Sequence, residues 1–202
     1  MKKTENRKNI HLRGKDYYQK LLDTYPEHSY ITLSSIDLKA RLEDLQAQLT
    51  KTLKEAEKFT EKTKPGKIEN NQQEQKRLQE EIDFLQDKIS QGTAVVPLSG
   101  TLVLEYGKTS ENIYAGMDEE YRRYQPAIIT WYETAKHAFE RGADWQNMGG
   151  IENDLKGGLY SFKSKLNPTI EEFAGEFNLP TNPLYHLSNL AYTLRKKLRS
   201  KH

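Results

Sequence analysis

The 202-residue chain contains no cysteine. This excludes disulfides, thiolate metal sites and cysteine nucleophiles. Its five histidines, at positions 11, 28, 137, 186 and 202, are scattered without metal-ligand spacing, so no metal site is expected. No Ser/His/Asp nucleophile set is discernible. No run of eighteen apolar residues occurs, and Met1-Lys2-Lys3 leads into polar sequence where a signal peptide would place its apolar core. An excess of one charge is also missing. Thirty-one Lys and Arg against 29 Asp and Glu leave a net charge of +2, which implies no strong pull toward nucleic acid or anionic membrane. A soluble, cytoplasmic protein without a cofactor is the expectation.

Apolar residues are scarce too, at 35% against 30% charged. The shortage is local. Residues 1–9 are polar and carry no fold signal. From Ile10 to Leu22, Ile10, Leu12, Tyr17, Tyr18, Leu21 and Leu22 fit an amphipathic helix ending before Pro26. Ser29 to Ile36 alternates aromatic or β-branched residues with small polar ones, the pattern of a strand.

The composition then changes. Leu38, Leu42, Leu45, Leu49, Ala56 and Phe59 follow steps of three and four, with Thr52 in one core slot; Leu78, Ile82, Leu85 and Ile89 repeat the spacing. Between them Pro65-Gly66 reads as a helix breaker. The pattern predicts an antiparallel helical hairpin (coiled-coil) arm of two helices of about twenty-five residues, projecting nearly 40 Å at about 1.5 Å per residue. A two-helix arm buries one stripe per helix, which accounts for the thin apolar content. Its charges balance helix by helix: six basic and five acidic residues from Leu38 to Lys62, four and six from Lys67 to Gln91. That balance favours a solvated structural or dimerisation element over a nucleic-acid-binding one.

Beyond Gly92 the globular pattern returns. Val95-Val96 with Ser99–Tyr106, and Glu111–Met117, read as strands around a Gly107-Lys108-Thr109 hairpin turn. Pro126–Arg141 is a helix with Pro in its first turn and Gly142 past its end. A short strand at Ala143–Met148, a helix at Asn153–Phe162, a strand within Pro168–Phe177 and a closing helix at Pro183–Leu198 follow. The basic end of that last helix suits its C-terminus. The expected fold class is α+β, with residues 1–37 as the first part of a domain, 38–91 as the inserted arm and 92–202 as the remainder.

The least generic stretch is Ala143–Leu166, with glycine pairs at Gly149-Gly150 and Gly157-Gly158. Such pairs are kept where backbone turns sharply or approaches something closely.

Several stretches together resemble the C-terminal half of the FemABX peptidyltransferases, the Mur-type peptidoglycan-branching enzymes. They are Thr4–Arg7 with Ile10, Arg13 and Tyr17-Tyr18; Tyr30–Leu33; Gly107-Lys108 with Ile113–Met117; Tyr121–Pro126; Trp145–Ile151; Gly157–Lys163; and Asn182–Tyr185. The resemblance implies a partial acetyltransferase-like (GNAT) domain carrying the arm. It also implies transfer of an amino acid from aminoacyl-tRNA to the lysine side chain of a lipid-linked or nucleotide-linked peptidoglycan precursor. Family proteins are about twice this length, so a fragment is expected, inactive alone and prone to self-association, with contact to the inner membrane face. By resemblance, Arg13 and Tyr17 hold the precursor's phosphates, Tyr114 hydrogen-bonds precursor or transferred groups, Phe162 stacks a base of the tRNA end, and Glu176 is a functional carboxylate. Lys163 holds a phosphate or the developing negative charge, the catalytic assignment. Two alternatives stay open: a tRNA-binding module, whose arm resembles in outline that of seryl-tRNA synthetases, and a non-catalytic fragment.

Overall fold

The computed structural model describes residues 12–175, 177, 179–182 and 184–199, and the chain divides after Asn167 into two compact units. In the first unit, helix α1 (Lys15–Thr24) precedes strand β1 (Ser29–Asp37). Leu12 to Gly14 is not helical. Gly14 is extended, with ψ 165°, so the first turn begins at Lys15, later than apolar spacing alone predicts.

Strand β1 passes without a loop into helix α2 (Leu38–Ala56), because the Asp37 carboxylate accepts the amides of Lys39 and Ala40 and caps the new helix. Helix α3 (Pro65–Ser90) returns alongside it. Pro65 does not interrupt a helix here; it starts one, at the first position, where a missing N–H leaves no bond unmade. The two helices run antiparallel. Glu55 pairs with Lys67 at 2.9 Å, the Asn71 amide donates to the Thr52 carbonyl at 3.0 Å, and Arg41 meets Glu81.

Strands β2 (Val95–Tyr106) and β3 (Thr109–Met117) form a hairpin through Gly107-Lys108, followed by a 3-10 turn (Glu119–Tyr124), helix α4 (Pro126–Glu140) and short strand β4 (Trp145–Asn147). The sheet order is β1-β2-β3-β4, antiparallel except for β4, which joins β3 in parallel after the α4 crossover. Helix α5 (Gly158–Lys163) and a 3-10 turn (Ser164–Leu166) complete the unit. The helix expected over Asn153–Phe162 is thus shorter and later. Leu155 takes a left-handed φ of +54° and Gly157 is extended, which keeps the preceding residues out of the helix.

Leu38 and Leu45 of α2, Leu78, Ile82 and Leu85 of α3, Val96 and Leu98 of β2, and Tyr121 form one core cluster. The root of the hairpin therefore shares its core with the sheet. Each fully buried leucine contributes about 1.5–3 kcal/mol. On its other side, one face of the sheet meets α4 through hydroxyls. Ser34 and Thr130 are 2.7 Å apart, Thr101 and Thr134 2.7 Å apart, and Ser99 hydrogen-bonds Thr130.

In the second unit, residues 168–175 and 177 form no regular element, and α6 (Leu184–Arg199) follows. The strand expected within Pro168–Phe177 is not formed among the described residues; Gly175, at φ +87°, leaves the extended region.

Candidate functional site

Two clusters in the first unit gather the residues expected to carry function. The first lies on the sheet face away from α4. There Ile31, Leu102 and Tyr114 stand side by side across three strands, and Leu33, Gly100 and Gly116 form the next row. Ile31 and Leu33, on the edge strand β1, remain 54% and 61% exposed. The face is the floor of a shallow cavity of about 620 Å³, reached by Tyr18 and edged by Pro97, Met117 and Asp118. Gly100 keeps this floor low; a Cβ there would stand 3.3 Å from both the Leu33 side chain and the Thr32 carbonyl.

Aromatic rings gather beside it. Tyr18 meets Tyr114 edge-on at 5.1 Å, Tyr17 meets Tyr18 at 5.4 Å and Tyr114 at 6.4 Å. The Arg13 guanidinium sits 5.7 Å over the Tyr17 ring. Arg13, Tyr17 and Tyr114 are therefore brought together, although Arg13 precedes α1 and does not share a helical face with Tyr17. The Tyr17 side chain, with burial second, pushes the Tyr114 phenol above its ordinary value. Tyr18, absent from the sequence-based site set, is central to the cluster.

The second cluster surrounds Lys163. Its side chain is buried, with 6% exposure. The ammonium donates to the carbonyls of Gly149 and Gly150 at 2.9 and 2.6 Å and lies 5.6 Å from the Trp131 ring. Burial pushes the ammonium below its ordinary value, and the Glu152 charge partly offsets this. Phe162 packs edge-on against Trp131 at 5.3 Å. Gly149, at φ +73°, provides the bend that turns two successive carbonyls toward one cation.

Glu152 holds the other end of α5. Its two carboxylate oxygens accept the amides of Leu159 and Tyr160, both at 3.1 Å, and so satisfy donors that a helix N-terminus leaves unmade. Its own amide, those of Leu159 and Tyr160, and the Lys163 charge hold it below the usual carboxylate value. Gly157 makes room for this; a Cβ there would fall 2.0 Å from the Glu152 carboxyl carbon. Glu152 and Trp131 escaped the sequence reading. The first acts seven and eight residues away, outside any local capping pattern, and the second reads as core from its helical spacing. Glu176 lies outside the described residues. Among the described residues no cluster of His, Asp and Glu is placed to hold a metal ion, and no helix is long and apolar enough to cross a membrane.

The fold and clusters define a mixed α+β chain with an open sheet face, a projecting helical hairpin and a glycine-bounded loop clamped by one lysine. A model of the FemAB family matches residues 1–193. The chain belongs to the FemAB family. It is 29% identical to a Lipid II:glycine glycyltransferase of Staphylococcus epidermidis over 202 residues, covering 93% of this chain and 48% of that protein. Proteins of the same name from Staphylococcus haemolyticus and Staphylococcus aureus are 26% identical over the same 93% of this chain and 48% of their own length. The chain thus spans about half the length of these relatives. Among solved structures, FemX aligns with a TM-score of 0.53 at 22% identity, covering 82% of this chain and 44% of FemX, a likeness of fold.

Proposed function

We propose that the chain is part of an aminoacyltransferase that moves an amino acid from aminoacyl-tRNA to the lysine side-chain amine of a peptidoglycan precursor, building the bridge between stem peptides. The observation that carries this reading is the alignment, over 93% of the chain, with proteins named for glycyl transfer to lipid II. In this reading the chain is the C-terminal half of such an enzyme. The antiparallel strands, with β4 joined in parallel through α4, support an acetyltransferase-like domain.

The open face and its tyrosines suit the precursor. Arg13 offers a planar fork for phosphate oxygens, and Tyr17 and Tyr114 add an aromatic surface with phenolic donors. The Lys163 cluster suits the tRNA end, with Phe162 as the stacking ring. In the reaction the neutral lysine amine attacks the ester carbonyl and forms the new C–N bond. The tetrahedral oxyanion then collapses, the bond to the ribose oxygen breaks, and the amine's proton ends on that oxygen. Lys163 contributes a fixed positive charge to the oxyanion or a phosphate, while its two carbonyl bonds hold the loop at Gly149-Gly150. Glu176 acts as a substrate-binding carboxylate. The chain's share of its relatives' length, 48%, favours one further reading, that the chain alone binds without transferring.

The test is transfer of radiolabelled glycine from glycyl-tRNA to a soluble, lysine-containing nucleotide-linked precursor. It is run with the chain alone and with the chain joined to the complementary half of the S. epidermidis glycyltransferase. Label is expected in the precursor with the joined protein, and Arg13→Ala should raise the KM for precursor about tenfold, the loss of one charge-assisted contact. A well-folded joined protein that transfers no label would refute the reading.

A further inference from the structure

We propose that the far end of the α2–α3 hairpin is a docking surface for an anionic lipid bilayer. The surface is made by folding. Residues 51–67 hold six lysines, at 51, 54, 58, 62, 64 and 67, against glutamates 55, 57 and 61, a net +3. Residues 68–91 hold Lys76, Arg77 and Lys88 against six acids, a net −3, and residues 38–50 are neutral. Because the helices are antiparallel, the whole positive segment forms one end of the hairpin and the negative charge lies along α3 toward the root.

All six lysines are exposed. Lys67 pairs with Glu55, and the other five make no ion pair among the described residues. Lys51, Lys54, Lys58 and Lys67 edge a groove of about 710 Å³ with Thr50 and Phe59. Leu53 is 44% exposed close by, an apolar contact for the headgroup region.

Three features favour a bilayer over RNA. The hairpin's arginines, Arg41 and Arg77, are both tied to carboxylates away from this end, so no planar fork for individual phosphates is present there. Phe59, the aromatic residue of the end, already carries the Lys67 ammonium 5.4 Å from its ring, which takes up one face that a base would stack on. The cations are gathered at the end of a shaft, four of them along one groove, and lysines gain from an anionic leaflet without any fixed geometry. The proposal rests on this charge layout and is separable from the transferase reading.

The full chain would be sedimented with vesicles of phosphatidylcholine, with and without phosphatidylglycerol. Binding is expected only to the anionic vesicles and should fall with rising salt. Reversing four charges, in the variant K51E/K54E/K58E/K62E, should weaken it about a hundredfold or more. The K51Q/K54Q/K58Q/K62Q variant serves if charge reversal disturbs the helices, with circular dichroism and thermal unfolding as checks. Placed in the joined protein, both sets of substitutions should leave transfer to the soluble nucleotide-linked precursor unchanged, so this experiment and that of the transferase reading fail separately. Equal binding to both vesicle types, or undiminished binding of the variants, overturns the proposal. So does a structured RNA that binds through these four lysines and strips the chain from the vesicles.

Discussion

The ammonium of Lys163 lies 2.6 Å from the carbonyl oxygen of Gly150, thirteen residues earlier in the chain. With the second bond to Gly149, this contact closes the loop between β4 and α5 around a buried cation.

Replacing Lys163 with Met keeps the length of the side chain and removes the donor. Two carbonyls facing a buried site then lose their partner, which costs about 1–3 kcal/mol. Urea unfolding should register that loss. Indole fluorescence should change as well, because Trp131 borders the site.

Glu152 confers a pH dependence. Its folded value lies below the ordinary 4.5, so its contribution is fully present above that value and is lost as pH falls through the lower folded one. Protection of the Leu159 and Tyr160 amides against exchange, corrected for the intrinsic rate at each pH, should fall there. Glu152→Gln should flatten that dependence.

Gly157→Ala tests the same anchor from the other side. Gly157 has φ −74°, which alanine adopts freely, so the predicted harm comes from displacing the Glu152 carboxylate and not from backbone strain. A measurable loss of stability is expected, the usual direction on removing a helix cap. In an E152A background the same substitution should be nearly neutral, and a double-mutant cycle reads this as coupling. Additive losses would contradict the account.

Thr130 hydrogen-bonds Ser34 and Ser99 and donates to the Pro126 carbonyl at 2.8 Å, in a layer that is buried except for the half-buried Ser34. Thr130→Val preserves shape and leaves the two serine hydroxyls short of a partner. A loss of about 1–3 kcal/mol is expected by denaturant unfolding. Replacing Ser34, Ser99 and Thr130 together with apolar residues of similar size should lose less than the single losses summed.

Glu81 is the polar centre of the hairpin. Arg41 donates twice to one of its oxygens, at 3.1 and 2.9 Å, and Arg77 once to the other at 3.1 Å. Beside it, burial raises the Tyr124 phenol to about 12. Glu81→Leu leaves two guanidiniums facing each other, and the expected loss is about 1–3 kcal/mol, moderated because both arginines are partly solvated. Thermal unfolding would measure it.

Elements governed by local chemistry were legible in the sequence. Alternation marks β1, the three-and-four spacing of Leu38 to Ile89 marks the hairpin, and Pro126 with Gly142 brackets α4. The family resemblance also named residues that the fold brings together, as with Arg13, Tyr17 and Tyr114. What could not be read depends on distant pairing. Nothing near Lys163 announces two carbonyls thirteen and fourteen residues back, and on an exposed helix it would read as solvated. The charge of the hairpin reads as balanced helix by helix. It becomes segregated once the turn at 57–64 superposes the end of one helix on the start of the next. The strand expected within 168–177 shows the reverse error, since apolar and β-branched content without a neighbouring strand does not make a ladder.

The hairpin root has a mechanical consequence. Val96 and Leu98 are packed into the same core as Leu38 and Leu85, and the strand that carries them continues into Gly100 and Leu102, the floor of the open cavity. The 26 residues of α3 make a shaft of about 39 Å fixed at that point. Such a shaft is a lever with its fulcrum in β2. A load at the lysine-bearing end is delivered as torque to the strand that pairs with the one bearing Tyr114, and a small tilt of that strand sweeps the distant end through a large arc.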